Sequence, residues 1–176
     1  LVTGGAGFVG SHLVDRLIQD RYQVTVIDNL STGKLENLKG KKIKLIKRDV
    51  CEDLDSIFKE GKFDVIFHFA ALPLIQFSIE NPLKTNLSID NTINLLESAK
   101  KYKVKRFIYT SSSAIYGNQK ELPFRENSLP QPSSPYGIQK LCCEHYCRFF
   151  YETYGLETII FRLFSVYGPR QSPNGS

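Results

Sequence analysis

Two side chains with opposed proton chemistry, Tyr136 and Lys140, stand four positions apart in the stretch Ser-Pro-Tyr-Gly-Ile-Gln-Lys that spans 134–140. If that stretch is helical, the pair shares one face, one turn above the other. A tyrosine hydroxyl ionises near pH ~10 and is a poor base at neutral pH, whereas neighbouring positive charge favours its phenolate. The same spacing also suits an ordinary solvated Tyr–Lys pair. A second cluster of hydroxyls weighs against that plainer reading. Ser111, Ser112 and Ser113 follow the apolar run 104–110, and the carboxyl ends of strands are where open α/β sheets bind ligands.

Such a site needs a scaffold and a partner, and the first ten residues supply both. Leu-Val-Thr-Gly-Gly-Ala-Gly-Phe-Val-Gly reads as a strand end, a glycine-rich turn and a helix start. Gly4 allows the tight turn, Gly7 a close approach of a dinucleotide, and Gly10 close packing of the helix on the sheet. A pyrophosphate would then sit at the helix N-terminus. A glycine-rich loop without that role is the alternative if the motif stands alone. Asp28, closing the apolar run 24–27, is the acidic residue expected about twenty positions further on, placed for the adenosine ribose hydroxyls. A carboxylate there repels a 2′-phosphate, which favours NAD over NADP; a turn-forming Asp is the alternative.

Strands are expected at 24–27, 43–46, 63–67, 104–110 and 158–161, after a first strand of which Leu1-Val2 is the end. The 43–46 strand is edge-like because a lysine interrupts it. Between the strands lie helical patterns. Val9, Leu13, Val14, Leu17 and Ile18 face the sheet, with His12, Asp15, Arg16 and Gln19 opposite. Asp49-Val50 opens a short helix with Leu54, Ile57 and Phe58, and a long helix over 81–101 carries Leu87, Ile93, Leu95, Leu96 and Ala99. The last helix starts at Ser134-Pro135 as N-cap and first residue, with Tyr136, Lys140, Cys143, Cys147 and Phe150 along one side. Strands alternating with helices predict an α/β fold, a Rossmann-type doubly wound parallel sheet covered on both faces. The proline-rich stretch 117–135 is a surface loop long enough to be functional.

At 176 residues the chain suffices for one well-buried domain and not two full-sized ones. Its 23 Lys and Arg against 18 Asp and Glu give a net charge of +5, concentrated locally at Lys39, Lys41, Lys42, Lys44, Lys47 and Arg48. No nucleic-acid recognition motif accompanies that cluster, which reads as the solvated flank of a strand. Cys51, Cys142, Cys143 and Cys147 make neither a paired framework nor a metal spacing, and Cys143, His145 and Cys147 do not share one helical face. No metal site is expected. Reduced thiols, with no signal peptide and no membrane-length apolar run, point to a cytoplasmic protein. Both ends read as cut: the first strand is short, and 171–176 is loop composition.

Taken together, the motifs resemble the extended short-chain dehydrogenase/reductase superfamily, in particular its NAD-dependent epimerase/dehydratase members that act as nucleotide-sugar 4-epimerases. The resemblance rests on the glycine motif 3–10, Asp28-Asn-Leu30, Asp49-Val50, His68-Phe-Ala-Ala71, the 111–117 stretch Ser-Ser-Ser-Ala-Ile-Tyr-Gly, 134–140, and 161–170. It implies Tyr136 as catalytic base, Lys140 on the nicotinamide ribose and lowering the tyrosine pKa, and Ser112, four residues before Tyr116, on the reacting sugar hydroxyl. It implies cofactor contacts from Gly4, Gly7, Phe8, Val9, Gly10, Asp28, Asn29, Phe69, Ala70, Ala71 and Leu72, with Asp49 and Val50 at the adenine. Substrate contacts fall to Ser112, Ser113, Tyr136 and Ser165.

The implied reaction is transient C4 oxidation of a UDP-sugar, glucose and galactose or their N-acetyl forms, by a homodimer with no nucleic-acid or membrane partner. Two departures are Ser88 and Ser165, where many relatives carry Asn. Ser113 and Ala114 stand where related 4,6-dehydratases place an acidic residue, so a dehydratase or reductase is the second reading and a non-catalytic NAD-binding protein the third. Residues 1–170 would be the NAD-binding domain and 171–176 the start of a segment leading to a substrate domain that is largely absent. The chain alone would bind NAD and be nearly inactive.

Overall fold

The computed structural model describes residues 1–71, 75–119 and 122–172. Six parallel strands form one sheet: β1 (Val2–Thr3), β2 (Thr25–Asp28), β3 (Lys44–Lys47), β4 (Val65–His68), β5 (Arg106–Ser112) and β6 (Glu157–Leu163). Their order, β3-β2-β1-β4-β5-β6, reverses direction of winding between β1 and β4. That reversal opens a crevice at the carboxyl ends of the strands, where doubly wound sheets hold their ligands. As expected, β3 is an edge.

Alternation along each strand sends side chains to two cores. Leu1, Ile27, Ile66, Phe107 and Tyr109 point into the larger one, with Leu54, Ile57, Phe58, Leu95, Leu96, Cys143, Cys147 and Phe150. Val2 and Val26 point to the other face, against Val14 and Leu38. The helices that cover the sheet are α1 (Phe8–Gln19), α2 (Asp55–Gly61), α3 (Ile75–Glu80), α4 (Pro82–Thr85), α5 (Leu87–Lys101) and α6 (Pro135–Tyr154). Single-turn 3₁₀ segments occupy Leu35–Leu38 and Ser113–Tyr116.

Several boundaries differ from the sequence reading. The single helix expected over 81–101 is divided. Pro82 opens α4 after Asn81, which lies outside the helical region (φ −134°), and the division itself falls at Asn86, a single turn residue between Thr85 and the start of α5 at Leu87. Leu87, at the start of α5, is 52% exposed and lines the cleft. The helix expected from Asp49 begins at Asp55, because the Asp49 carboxylate accepts from Cys51 N and ties the chain into a turn. Strand β5 runs on through Ser111 and Ser112, held by pairing with Arg162 and Leu163 of an equally extended β6. Ser134 does cap α6, its hydroxyl accepting from Gly137 N at 3.1 Å, with Pro135 at the first turn.

Candidate functional site

The glycine turn is shaped by backbone packing. Gly4 adopts φ +69°, and a Cβ there would stand 2.7 Å from Ala70 N, so the turn and the end of β4 touch main chain to main chain. A Cβ on Gly10 would meet Gly4 O at 2.3 Å. Gly10 therefore seats α1 on the turn itself, a closer neighbour than the sheet expected from sequence. Gly7 is the N-cap of α1 and offers no side-chain cap to the first amides of the helix. Those amides carry the positive end of the helix dipole.

Around this turn opens a cleft of about 640 Å³. Gly4, Gly7, Phe8, Val9 and Gly10 line one wall; Asp28, Asn29, Asp49 and Val50 line one end; Phe69, Ala70 and Ala71 line the floor; and Ser113, Tyr136, Lys140 and Ser165 line the far end. All of these were expected from sequence. Leu72 lies outside the described residues. Ser112 is not a lining residue: its hydroxyl accepts from Ala114 N at 3.2 Å and caps the 3₁₀ turn, while it also hydrogen-bonds Tyr136 and so favours the tyrosinate. Thr110, Ser111, Asn91, Ser88, Leu163, Phe164 and Val166 line the cleft as well. Of these only Ser88 and Ser111 were singled out from sequence. The signals for the others were position at the carboxyl end of β5 or β6 and, for Asn91, helical spacing from Ser88.

Asp28 is buried and already engaged. One oxygen accepts from Ala6 N at 2.9 Å and the other from Leu30 N at 2.8 Å. It is thus both the turn-forming Asp and a cleft residue, and it binds β2 to the glycine turn. Asn29 donates to Asp49 at 2.7 Å; the Asp49 carboxyl is lowered from its ordinary value by bonds from Cys51 and Asn29 that outweigh its partial burial.

At the other end, α6 presents Tyr136 and Lys140 on one face, as the spacing predicts. The Lys140 ammonium is buried and donates to Thr110 O at 2.7 Å, 5.8 Å from the centre of the Tyr136 ring. Burial pulls Lys140 down to about 8 and pushes Tyr136 above its usual 10, with the Ser112 hydrogen bond opposing the latter. The expectation that Lys140 itself lowers the tyrosine is therefore not met in the chain alone, since its charge is aimed at the β5 carbonyl.

His68, noted from sequence only as part of a small-residue run, is fully enclosed. Thr92 Oγ1 spends its proton on Ser88 O at 2.9 Å, so it must accept from His68 Nε2 at 3.1 Å. Nδ1 is then bare and accepts from Thr3 Oγ1 at 2.8 Å, which in turn accepts from Ala70 N at 3.3 Å. A single directed chain thus joins β1, β4 and α5 beneath the cleft. Burial lowers the imidazole to about 3, with the Lys140 charge adding to the effect.

The walls are braced from outside. Arg162 on β6 grips Glu144 of α6 through both oxygens, at 3.1 and 2.8 Å, and donates to Tyr116 Oη at 2.8 Å and Glu126 O at 2.9 Å. Arg170 donates to Ser11 at 3.0 Å and Asp15 at 2.6 Å, and His12 donates to Pro169 O at 2.8 Å. These contacts fold the chain after β6 back over α1, bringing Phe164 to Val166 beside Phe8 and Val9 in the cleft wall.

A reversed parallel sheet, a glycine turn at a helix start, an acidic residue ending β2 and a Tyr–Lys helix face define a dinucleotide-binding domain of the Rossmann type. The chain belongs to the NAD dependent epimerase/dehydratase family, whose model matches residues 1–176. It is 40% identical to a putative UDP-glucose 4-epimerase of Methanocaldococcus jannaschii, over 99% of this chain and 58% of that protein. Among solved structures, the UDP-glucose 4-epimerase of Thermotoga maritima with UDP-glucose superposes with a TM-score of 0.95 at 43% identity, over 99% of this chain and 58% of that one. The Thermus thermophilus UDP-glucose 4-epimerase with NAD gives 0.92 at 36% identity, over 99% and 57%. The chain thus spans a little over half the length of these relatives. No helix among the described residues is long and apolar enough to cross a membrane.

Proposed function

We propose that the protein is an NAD-dependent nucleotide-sugar 4-epimerase acting on UDP-hexoses, glucose and galactose or their N-acetyl forms. The observation that carries the proposal is one continuous cleft with the glycine turn and Asp28 at one end and Tyr136 and Lys140 at the other. The cleft fits an NAD: its floor is Ala70 and Ala71, its turn is too tight for a Cβ, and buried Ser111 Oγ and Asn91 Oδ1 have no partner among the described residues. Asp28 and Asn29 would hold the adenosine ribose, Asp49 and Val50 the adenine, the first turn of α1 the pyrophosphate, and Lys140 the second ribose.

When bound, NAD supplies reversible oxidation at C4 of the sugar. The chain's own part is acid–base work and placement. Tyr136 Oη takes the C4 hydroxyl proton and later returns it. Ser112, beside Tyr136, would hydrogen-bond the same C4 hydroxyl once the sugar is bound. Ser113 and Ser165 line the cleft where the sugar and its phosphate would lie. Ser113 and Ala114 supply no carboxyl for the elimination of water, which disfavours the dehydratase reading. A cytoplasmic homodimer is part of the same proposal, carried by the family resemblance.

The test is to incubate the protein with NAD and a panel of UDP-, dTDP- and GDP-sugars and identify products by NMR and mass spectrometry. A C4 isomer of unchanged mass is expected from a UDP-hexose. Loss of water instead, or no isomer from any sugar, overturns the reading.

A further inference from the structure

Asn91 has no counterpart in the roles assigned so far. Its Oδ1 is shielded from solvent and accepts no hydrogen bond from the described residues, and the residue lines the cleft. A buried carbonyl oxygen without a donor costs about 1–3 kcal/mol. A polar group kept in that state on a cleft wall is one that a ligand can satisfy.

Its place along the cleft identifies the donor. One helical turn further on, Asn94 donates to Val50 O at 2.7 Å and to Glu52 O at 2.9 Å. Asn91 and Asn94 are on the same side of α5, so the bond from Asn94 pins the 50–52 segment against the helix and sets Asn91 beside it. Asp49, Val50 and Cys51 of that segment line the same cleft. This is the end where Asp28 stands, remote from Tyr136 and Lys140 in the proposed orientation of the dinucleotide. The ligand group expected there is the adenine, whose exocyclic amine is a donor and whose ring nitrogens are acceptors. A carboxamide complements that pair of functions on one edge.

We propose that Asn91 is an adenine-recognition residue, its Oδ1 accepting from the exocyclic amino group. The inference rests on the dinucleotide reading of the cleft and deepens it, by naming the residue on α5 that selects the base. Ser88, the residue on the same wall one turn earlier, has its carbonyl taken by Thr92, and its short side chain has less reach than a carboxamide. Position 91 thus supplies the longer polar arm on this wall.

The experiment measures binding of NAD and of nicotinamide hypoxanthine dinucleotide, which replaces the amine by a carbonyl oxygen, to the protein and to Asn91→Ala and Asn91→Asp. Asn91→Ala is expected to weaken NAD about ten-fold and to shrink the preference for adenine over hypoxanthine. Asn91→Asp keeps an acceptor and loses the donor that a turned amide could offer, so its preference for adenine should widen. A merely structural role would weaken both dinucleotides alike in both variants and would overturn the proposal, as would unchanged NAD binding. If the unaltered protein binds neither dinucleotide, the dinucleotide reading itself fails. Binding of NAD with no change in base preference sinks only the role of Asn91.

Discussion

The enclosed imidazole of His68 makes the stability of the protein depend on pH in a window where few other groups contribute. In the fold the ring is neutral and its value is lowered to about 3, whereas in an unfolded chain it titrates near ~6.5. Below about 6.5 the unfolded chain therefore binds a proton that the folded one refuses, and stability falls as the pH falls. The stabilisation is complete above about 6.5, and the loss continues down toward about 3. Between pH ~8 and pH ~5 it amounts to about 2 kcal/mol, a sizeable part of a typical domain's stability. The carboxyls lowered by their partners, Asp15, Asp49, Asp55 and Asp64, act at more acidic pH.

Groups other than His68 also titrate as the pH falls, so a comparison is needed. Replacing His68 by Gln removes the titration and breaks the Thr3–His68–Thr92 chain, costing about 1–3 kcal/mol near neutral pH. Urea unfolding of both proteins across the window gives the difference in stability, from which the carboxyls cancel. That difference should narrow by about 2 kcal/mol on going from pH ~8 to pH ~5. A difference that stays constant would refute the neutral enclosed imidazole. Nitrogen chemical shifts give an independent check, since Nε2 must carry the proton and Nδ1 must be bare.

Two further outcomes follow from the cleft. Gly10→Ala places a methyl 2.3 Å from Gly4 O, against backbone atoms of Gly4 and Gly5; urea unfolding should show a loss of about 1–3 kcal/mol, and wild-type stability would contradict the packing. Lys140→Met should weaken NAD binding about ten- to hundred-fold by calorimetry. In the unaltered protein affinity should decline above about pH 8 as the ammonium loses its proton, a decline that the variant should lack.

What the sequence made legible was what backbone geometry imposes on residue type. Gly4 and Gly10 are fixed by sterics, Ser134-Pro135 by the needs of a helix start, and Tyr136 and Lys140 by helical spacing, so each could be placed without tertiary knowledge. Asp28 was legible in position and only half legible in role, because its bond to Ala6 N depends on the turn folding back over β2. The break between α4 and α5 falls at Asn86, where neither Gly nor Pro marks it, and it was hidden within a longer apolar pattern. The extension of β5 through Ser111 and Ser112 went against their polarity and is enforced by pairing with β6. His68 was not legible at all. Its environment is made by Thr3 and Thr92, 65 and 24 residues away, and no local pattern encodes that meeting.

The Tyr136–Lys140 pair shows what a bound dinucleotide must change for Tyr136 to act as a base. Burial disfavours the charged form of each, so one cause moves the two groups in opposite directions, the tyrosine up and the lysine down. Without a ligand the tyrosine holds its proton, and the Ser112 bond offsets only part of the cost of ionising it. A base at neutral pH therefore requires charge that the chain does not itself aim at Tyr136 Oη. The oxidised nicotinamide ring of NAD carries such a positive charge, and a ribose hydroxyl can draw Lys140 toward the cleft and away from Thr110 O.

The ultraviolet difference between the protein and Tyr136→Phe isolates this one phenol. Without NAD its ionisation should fall above about pH 10, and with NAD bound it should move to lower pH. Lys140→Met should reduce the shift that NAD produces. Should the midpoint be the same with and without NAD, the acid–base part assigned to Tyr136 would fail even if the dinucleotide binds where the glycine turn and Asp28 indicate.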